Sequence, residues 1–271
     1  MIPKIIHYCW FGGNPIPELA EQCIASWKRY MPEWEYKEWT EASLSQALNQ
    51  PNPNPSLKGR ETNWLDYMPT YVKQAYEAMK YAFVSDYVRL WALEQCGGLY
   101  MDVDFMVYRP FDDLMDKYPA FAGYEGSKRQ PVMQGVLASE PHGAWVRDML
   151  QTYQFREFIR VDGSLDLTPN TAYFTDRLES QGFVADGVEK DVYVKSISNL
   201  EERMFFLHVF PVHYFCPVLT TGENLRNKET YCEHMRLGSW DSPGAWKVRM
   251  LSFLPSSMRT KLIILKRKLF G

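Results

Sequence analysis

Two aspartates separated by one residue, Asp102 and Asp104, are the strongest candidates for chemistry in this sequence. They lie in LYMDVDFMVY, a stretch rich in strand-forming residues. The two-residue period of a strand predicts that both carboxylates point to one side while Val103 points to the other. Adjacent carboxylates repel each other unless a cation is bound nearby. Because oxygen ligands suit hard cations, the pair predicts a site for Mg²⁺ or Mn²⁺.

A helix and a glycine turn are expected to position these aspartates. Ser85 is a predicted N-cap, and Gly97 and Gly98 are predicted to end the helix. Asp86 and Arg89 then lie one turn apart on one face, either in a binding site or as a surface ion pair worth only ~0.3–0.5 kcal/mol. Apolar residues recur at helical spacing along this segment: Val84, Tyr87, Val88, Trp91 and Ala92.

An aromatic segment near the start of the chain, IIHYCWFGG, reads as a short buried strand that ends in paired glycines. Ligands bind at the carboxyl ends of strands in open α/β sheets, so Trp10 is placed for stacking on a ligand. The alternative is that Tyr8, Trp10 and Phe11 are all core aromatics. For His7 we expect a structural role with hydrogen-bonded ring nitrogens.

Three stretches of the sequence together resemble one protein family. SDYVRLWALEQCGGLYMDVDF is similar to the core signature of the DXD-containing sugar transferases, which include bacterial capsular polysaccharide glycosyltransferases, fungal initiating mannosyltransferases and, more distantly, glucosylating toxin domains. IPKIIHYCWFGG resembles the first strand and nucleotide loop of that family, and HMRLGSW, at residues 234–240, resembles its closing element. The stretches occur in the family's order over most of residues 1–240.

The resemblance implies an α/β fold of the GT-A type, a nucleotide-sugar donor, a divalent metal and retention of configuration at the anomeric carbon. It implies that Trp10 stacks on the nucleotide base and that Asp86 and Arg89 bind the donor sugar. Asp102 would contact ribose, sugar and metal-bound water, and Asp104 would be the direct metal ligand.

The closing element carries three further implied roles. His234 would approach the metal or the diphosphate, while Ser239 and Trp240 would hold the diphosphate under a closing loop. A structural, hydrogen-bonded histidine is the alternative for His234.

Two segments depart from the family pattern. Where the family often has an Asn-containing segment after the DXD strand, this chain has Met133, Gln134, Gly135 and Val136, so a side chain that faces the donor or acceptor is changed. The family's Gly-Pro element appears here as LTPNTAYF, which predicts a helix with Thr168 as N-cap and Pro169 in the first helical position.

Charge divides the chain unevenly. Residues 246–271 contain seven Lys or Arg and no acid, a formal charge of +7 against −10 for the remainder. We therefore predict one catalytic domain over residues 1–245 and a basic amphipathic helix over residues 246–271. The tail is expected to dock on an anionic membrane, where a lipid-linked saccharide acceptor is presented, or else to pack on protein.

Composition narrows the class of protein. A chain of 271 residues with 46% apolar residues can bury one large α/β core. Five cysteines without a C-x-x-C pair argue against a disulfide framework or a zinc site. The net negative charge of residues 1–245 makes nucleic acid a poor partner. With no leader, spanning segment or N-x-S/T acceptor in the sequence, we expect a cytoplasmic protein, peripheral on the inner face of the plasma membrane.

The predicted function is metal-dependent transfer of a hexosyl unit from a UDP- or GDP-sugar to a saccharide acceptor, as a step in capsular polysaccharide biosynthesis. Two alternatives belong to other classes. One is a degenerate, non-catalytic sugar-nucleotide-binding regulator. The other is a D-x-D phosphatase with an aspartyl nucleophile; such enzymes usually have Thr or Val two residues after the second aspartate, where this chain has Met106.

Overall fold

The structure is a computed structural model that describes residues 1–48, 63–126, 132, 134–195 and 203–237. The chain divides into two units, Met1–His234 and Met235–Gly271, and only residues 235–237 of the second unit are described. The predicted tail helix, Ser239 and Trp240 therefore lie outside the described residues.

The first unit alternates strands with helices. The strands are β1 (Ile5–Cys9), β2 (Glu35–Trp39), β3 (Gly98–Met101), β4 (Phe105–Val107), β5 (Ala120–Gly123), β6 (Val136–Ser139), β7 (Lys190–Lys195), β8 (Arg203–Phe210) and β9 (Cys232–His234). The helices are α1 (Glu18–Tyr30), α2 (Glu41–Leu48), α3 (Thr70–Glu77), α4 (Tyr81–Cys96), α5 (Asp112–Lys117), α6 (Ala144–Thr152), α7 (Asn170–Glu179) and α8 (Val212–Phe215), with 3₁₀ turns at Trp64–Tyr67 and Tyr153–Phe155.

A seven-stranded mixed sheet forms the centre of this unit, in the order β2-β1-β3-β6-β5-β8-β7. Strands β2, β1 and β3 are parallel, β6 runs antiparallel to both of its neighbours, and β7 is antiparallel to β8. All residues of β3, β5 and β6 are buried, as expected for central strands covered on both faces. The predicted α/β class is confirmed.

Helix α4 is the element that presents the Asp86–Arg89 pair. It begins at Tyr81 instead of after Ser85, so the Ser85 N-cap prediction was wrong; the Ser85 hydroxyl instead donates to the Tyr81 carbonyl, 3.1 Å away. The predicted end is confirmed, because Gly97 has a φ of +62° and its N–H bonds to the Leu93 carbonyl.

The D-x-D triplet lies in a turn, which corrects the prediction of one continuous strand. Strand β3 ends at Met101, the N–H of Phe105 bonds to the Asp102 carbonyl at 3.2 Å, and β4 begins at Phe105. The chain turns here because β4 pairs with β9 in a separate two-stranded sheet, with Phe105 opposite His234.

The helix after LTP also starts later than predicted. Helix α7 begins at Asn170, with Pro169 in the N-cap position and no side-chain cap, so Thr168 does not cap it. Asn170 is buried by this placement. Its amide therefore points into the protein, next to Tyr153 and Gln134.

Candidate functional site

The Asp86–Arg89 pair is buried, which excludes the surface ion pair as its description. One guanidinium nitrogen of Arg89 lies 2.9 Å from Asp86 Oδ1, and the two side chains are only 7% and 13% exposed. Their three-residue spacing on α4 brings them together on one face of the helix. A buried ion pair that is also fully hydrogen-bonded is held in one geometry, which suits ligand positioning.

Arg89 connects three separate parts of the chain. Its Nε donates to the Ser85 carbonyl at 3.2 Å, and its Nη1 donates to the Gln134 carbonyl at 2.7 Å. Its Nη2 lies 3.4 Å from Asp102 Oδ1, and the guanidinium stands 4.7 Å from the centre of the Tyr100 ring. The planar fork of arginine supplies these directions at once, which a lysine cannot do.

Asp86 has an unusual carboxyl group. Its pKa is raised to about 6: burial is the largest cause, the positive charge of Arg89 opposes it, Asp102 adds to the rise, and Arg156 opposes it. At neutral pH the group is mostly ionised and accepts hydrogen bonds. A partly desolvated carboxylate beside a fixed guanidinium matches the alternating donors and acceptors of a sugar's hydroxyl groups.

Asp102 lies directly after β3, at the edge of this cluster. Its Oδ1 accepts a hydrogen bond from the Tyr100 hydroxyl at 2.7 Å, and its N–H donates to the Gly135 carbonyl at 2.9 Å. The side chain remains 31% exposed. These hydrogen bonds fix the position of Asp102, while the exposed part of its carboxylate remains accessible to a ligand.

Asp104 has a different partner. Its Oδ2 lies 3.2 Å from Nε2 of His234, and the His234 ring stacks on Phe105 with 4.6 Å between the ring centres. Burial disfavours a charged imidazole, but Asp104 more than offsets this, so the pKa of His234 is raised well above its usual range. The structure brings together His234 and Asp104, the two implied metal ligands, and the same contact is that of a hydrogen-bonded structural histidine.

The donor set fits a divalent cation only with help from a ligand. Asp104 and His234 present one carboxylate oxygen and one imidazole nitrogen at the same point, whereas the described residues contain no group of three or more His, Cys, Asp or Glu arranged around one position. Mg²⁺ is commonly held by one or two carboxylates together with substrate phosphates. A phosphate-bearing ligand would supply oxygen ligands in addition to those that the described residues present.

Trp10 follows β1 at the carboxyl edge of the sheet and is half-buried. Its backbone N–H donates to the Trp39 carbonyl, and its indole Nε1 donates to the Asn14 carbonyl at 2.6 Å. The neighbouring Tyr8 and Phe11 are buried core residues that contact other aromatic rings. The core alternative therefore describes Tyr8 and Phe11 but not Trp10.

His7 has the structural role that was expected. The Trp39 indole donates to its Nδ1 at 3.1 Å, and because indole is a donor only, Nε2 must carry the proton donated to the Gly97 carbonyl at 2.8 Å. Burial lowers the pKa of His7 to about 4. The neutral imidazole ties β1 to the end of α4.

Sequence reasoning gave no role to several residues that border the site. Gln134 is 2% exposed, its carbonyl holds Arg89, and its side-chain amide nitrogen has no hydrogen-bond partner among the described residues. Its Oε1 accepts from Asn170 at 3.3 Å, and Asn170 accepts from the Tyr153 hydroxyl. The departure from the family pattern at Gln134 was the signal available in the sequence.

Comparison with known proteins identifies the region that carries this site. Residues 17–121 match the family described as "Glycosyltransferase sugar-binding region containing DXD motif". Among curated relatives, inositol phosphoceramide mannosyltransferase 3 of Schizosaccharomyces pombe is 34% identical over 44% of this chain and 29% of the relative. Inositol phosphoceramide mannosyltransferase 1 of the same yeast is 29% identical over 43% of this chain and 32% of the relative. The chain thus spans about a third of the length of these relatives.

Solved structures with a similar arrangement are glycosyltransferases with low sequence identity. The PaToxG glycosyltransferase has a TM-score of 0.44 and 20% identity, covering 66% of this chain and 69% of that one. The UDP-bound glycosyltransferase domain from the YGT toxin has a TM-score of 0.38 and 14% identity, covering 68% and 69%. These scores are too low to support an argument about chemistry.

The family match includes Asp86, Arg89, Asp102 and Asp104. The GT-A fold class predicted with the resemblance agrees with the central mixed sheet. The resemblance seen in the sequence is confirmed over residues 17–121, which match the glycosyltransferase sugar-binding region that contains the DXD motif.

Proposed function

We propose that this protein is a metal-dependent hexosyltransferase that uses a nucleotide-diphosphate sugar and retains the configuration of the anomeric carbon. The observation that carries the proposal is the buried Asp86–Arg89 pair, whose guanidinium also lies 3.4 Å from Asp102 of the D-x-D triplet. This geometry joins a sugar-binding pair to the aspartate implied to contact ribose and sugar.

The donor sugar is the ligand for the α4 pair. Asp86 accepts and Arg89 donates hydrogen bonds to its hydroxyl groups, and the Gln134 amide nitrogen supplies a further buried donor. Rigid hydrogen bonds of this kind hold the anomeric carbon in a reactive position, and positioning supplies much of the rate acceleration in group transfer. Trp10 stacks on the nucleotide base at the end of β1.

The diphosphate lies beside Asp104 and His234. A Mn²⁺ or Mg²⁺ ion held by Asp104 with His234, and by Asp102 through water, would withdraw charge from the phosphate that leaves. In retaining transfer, the departing phosphate oxygen accepts the proton of the acceptor hydroxyl on the same face of the sugar. The proposal therefore assigns no protein base. Ser239 and Trp240 are proposed to close over the diphosphate.

A panel of nucleotide sugars tests this proposal. Thermal unfolding is measured with UDP-, GDP- and CMP-sugars, with and without Mn²⁺, and a donor that raises Tm only with metal is then incubated with the enzyme. We expect slow donor hydrolysis, with the first-formed free sugar in the donor's anomeric configuration by NMR. Asp162→Asn, which changes an exposed carboxylate, serves as the control variant.

Each other outcome has a separate meaning. Metal-dependent binding without hydrolysis or transfer would favour a non-catalytic regulator, and a phosphoryl group on Asp102 would favour the phosphatase. The opposite anomer would overturn retention while leaving sugar transfer intact. A complete absence of metal-dependent stabilisation by any donor would reject the proposed function.

The acceptor is proposed to be a saccharide, presented on lipid at a membrane that the basic tail over residues 246–271 contacts. The tail carries +7 and an anionic surface attracts each nearby basic residue by up to about 1 kcal/mol. Among the described residues, each helix is too short or too polar to cross a bilayer. Flotation of the full chain and of a version ending at Ser242 with anionic vesicles tests this; equal recovery of both in the unbound fraction would reject membrane contact.

A further inference from the structure

Arg156, in the loop that follows the Tyr153–Phe155 turn, has an unusual environment. Its side chain is 11% exposed, yet none of its three guanidinium nitrogens makes a hydrogen bond of normal geometry with the described residues. Its nearest acid is Asp166, with 4.0 Å between Nη2 and Oδ2. Burying a charge that is not hydrogen-bonded costs several kcal/mol.

Three tyrosine rings surround this guanidinium. Their centres lie 3.7 Å away for Tyr173, 4.4 Å for Tyr71 and 4.5 Å for Tyr153. A cation on a desolvated aromatic face gains about 2 kcal/mol, so three such faces at most offset the burial cost. A methionine of similar volume would fill the same space without that cost. Packing alone therefore does not explain why this position carries a charge.

A series of contacts leads from Arg156 to the proposed sugar site. Tyr153, which contacts the guanidinium, donates through its hydroxyl to Asn170 Oδ1 at 3.1 Å. Asn170 Nδ2 donates to Gln134 Oε1 at 3.3 Å, and the Gln134 carbonyl accepts from Arg89 Nη1 at 2.7 Å. Tyr153, Asn170, Gln134 and Arg89 are all buried. Because a close-packed interior transmits displacements, a shift of Tyr153 should move Arg89.

We propose that Arg156 is a positioning residue for the Asp86–Arg89 pair, acting through the Tyr153–Asn170–Gln134 contacts and through its own positive charge. This inference rests on the proposed function, because it assigns Arg156 a role in binding the donor sugar. Arg156 touches neither the donor nor the metal in this scheme.

The charge of Arg156 has a definite effect on Asp86. Among the described residues, the charged groups that face Asp86 are Arg89 on its own helix, Asp102 after β3 and Arg156 in its loop. The titratable hydroxyl groups of Tyr71 on α3 and Tyr153 also face it. Both arginines favour the ionised carboxylate, whereas burial and Asp102 oppose it. Loss of Arg156 therefore raises the pKa of Asp86 above its present value of about 6 and leaves less carboxylate to accept from the sugar.

Donor hydrolysis by Arg156→Met, measured against pH, tests the inference. For a one-unit rise in the pKa of Asp86, kcat/KM falls about fivefold at pH 6 and hardly at all at pH 8. Any loss of kcat/KM that persists at pH 8 results from displacement of the Tyr153–Asn170–Gln134 contacts. We expect this loss mainly as a rise in the KM for the donor. Arg156→Lys retains the charge and should restore the acid limb of the profile.

Two matched variants separate this role from stability. Phe158→Leu weakens the same aromatic cluster, because Phe158 contacts Tyr71 and Phe83, but it removes no charge. Arg160→Met removes a charge that is also paired with Asp166, but from a side chain that is 53% exposed. Both variants should keep the wild-type pH profile even where Tm falls.

The outcomes are distinguishable. An unchanged pH profile and donor KM in Arg156→Met, with an active wild-type enzyme, would overturn the positioning role and leave the proposed function intact. The same shift in Phe158→Leu would also overturn it, since the effect would then follow from packing. A wild-type enzyme without donor binding or turnover would reject the proposed function and this inference together.

Discussion

Nε2 of His234 lies 3.2 Å from Oδ2 of Asp104, although the two residues are far apart in the sequence. The pairing of β4 with β9 produces this contact, because it places His234 opposite Phe105, the residue that follows Asp104. The imidazole is held flat against the Phe105 ring. A cation bound at Asp104 must therefore either share the carboxylate with the His234 N–H group or displace the proton from Nε2 of His234.

Replacement of Asp104 tests the metal role directly. We expect Asp104→Asn to lower turnover at least about a hundredfold, because the charge that holds the cation beside the leaving phosphate is lost. The measurement is donor hydrolysis over a Mn²⁺ titration, with Asp162→Asn as the matched exposed control. Chelation of the wild-type enzyme should produce the same loss and readdition of Mn²⁺ should reverse it. Near-normal turnover in Asp104→Asn would contradict the metal role.

Trp10 is expected to determine nucleotide affinity. Stacking of a base on an aromatic side chain is worth about 1–3 kcal/mol by alanine substitution, so Trp10→Ala should weaken nucleotide binding by about 5- to 150-fold. Trp10→Phe retains an aromatic face and should lose much less. Calorimetric titration with the nucleoside diphosphate measures both. If the alanine and phenylalanine variants bind as tightly as the wild type, the base lies elsewhere.

His7 should make stability depend on pH. Its pKa is lowered by burial to about 4, so between about pH 6.5 and 4 the unfolded chain binds a proton that the folded protein does not. The stability contribution is complete above the unfolded pKa and is lost as the pH falls, by about 3 kcal/mol in total.

Denaturant unfolding at a series of pH values measures this effect. The free energy of unfolding of the wild type should fall across this window, whereas His7→Gln should be less stable at pH 7 and show a smaller fall. Equal slopes for the two proteins would show that other groups cause the acid sensitivity.

Gly98, the first residue of β3, should not accept any side chain. Its φ is +113°, and an added Cβ would lie 2.6 Å from the Ile5 carbonyl oxygen of the adjacent strand. We expect Gly98→Ala to lower the free energy of unfolding by about 3 kcal/mol or more, from backbone strain and overpacking together.

Gly163 provides the matched control for that substitution. It also has a positive φ, +81°, but an added Cβ would meet no atom within 4 Å. Gly163→Ala should therefore cost only the backbone strain, about 1–2 kcal/mol. Equal losses for the two alanine variants in denaturant unfolding would show that the approach to Ile5 adds nothing.

Local sequence determined the elements that carry the site. The apolar spacing along α4 and the glycines that follow it are signals between near neighbours, so the helix end and the shared face of Asp86 and Arg89 were predictable. Glycine at 97 and 98 meets a backbone requirement that can be recognised from residue type alone. The same holds for the buried strand β1 that leads to Trp10.

Tertiary structure decided which groups meet. Strand alternation predicted one shared face for Asp102 and Asp104, but the pairing of β4 with β9 turns the chain at the triplet and gives the two aspartates different partners, Arg89 and His234. Gln134 and Arg156 gained importance only through burial beside residues distant in the chain. Such contacts depend on strand pairing and packing over long sequence separations, which local residue patterns do not encode.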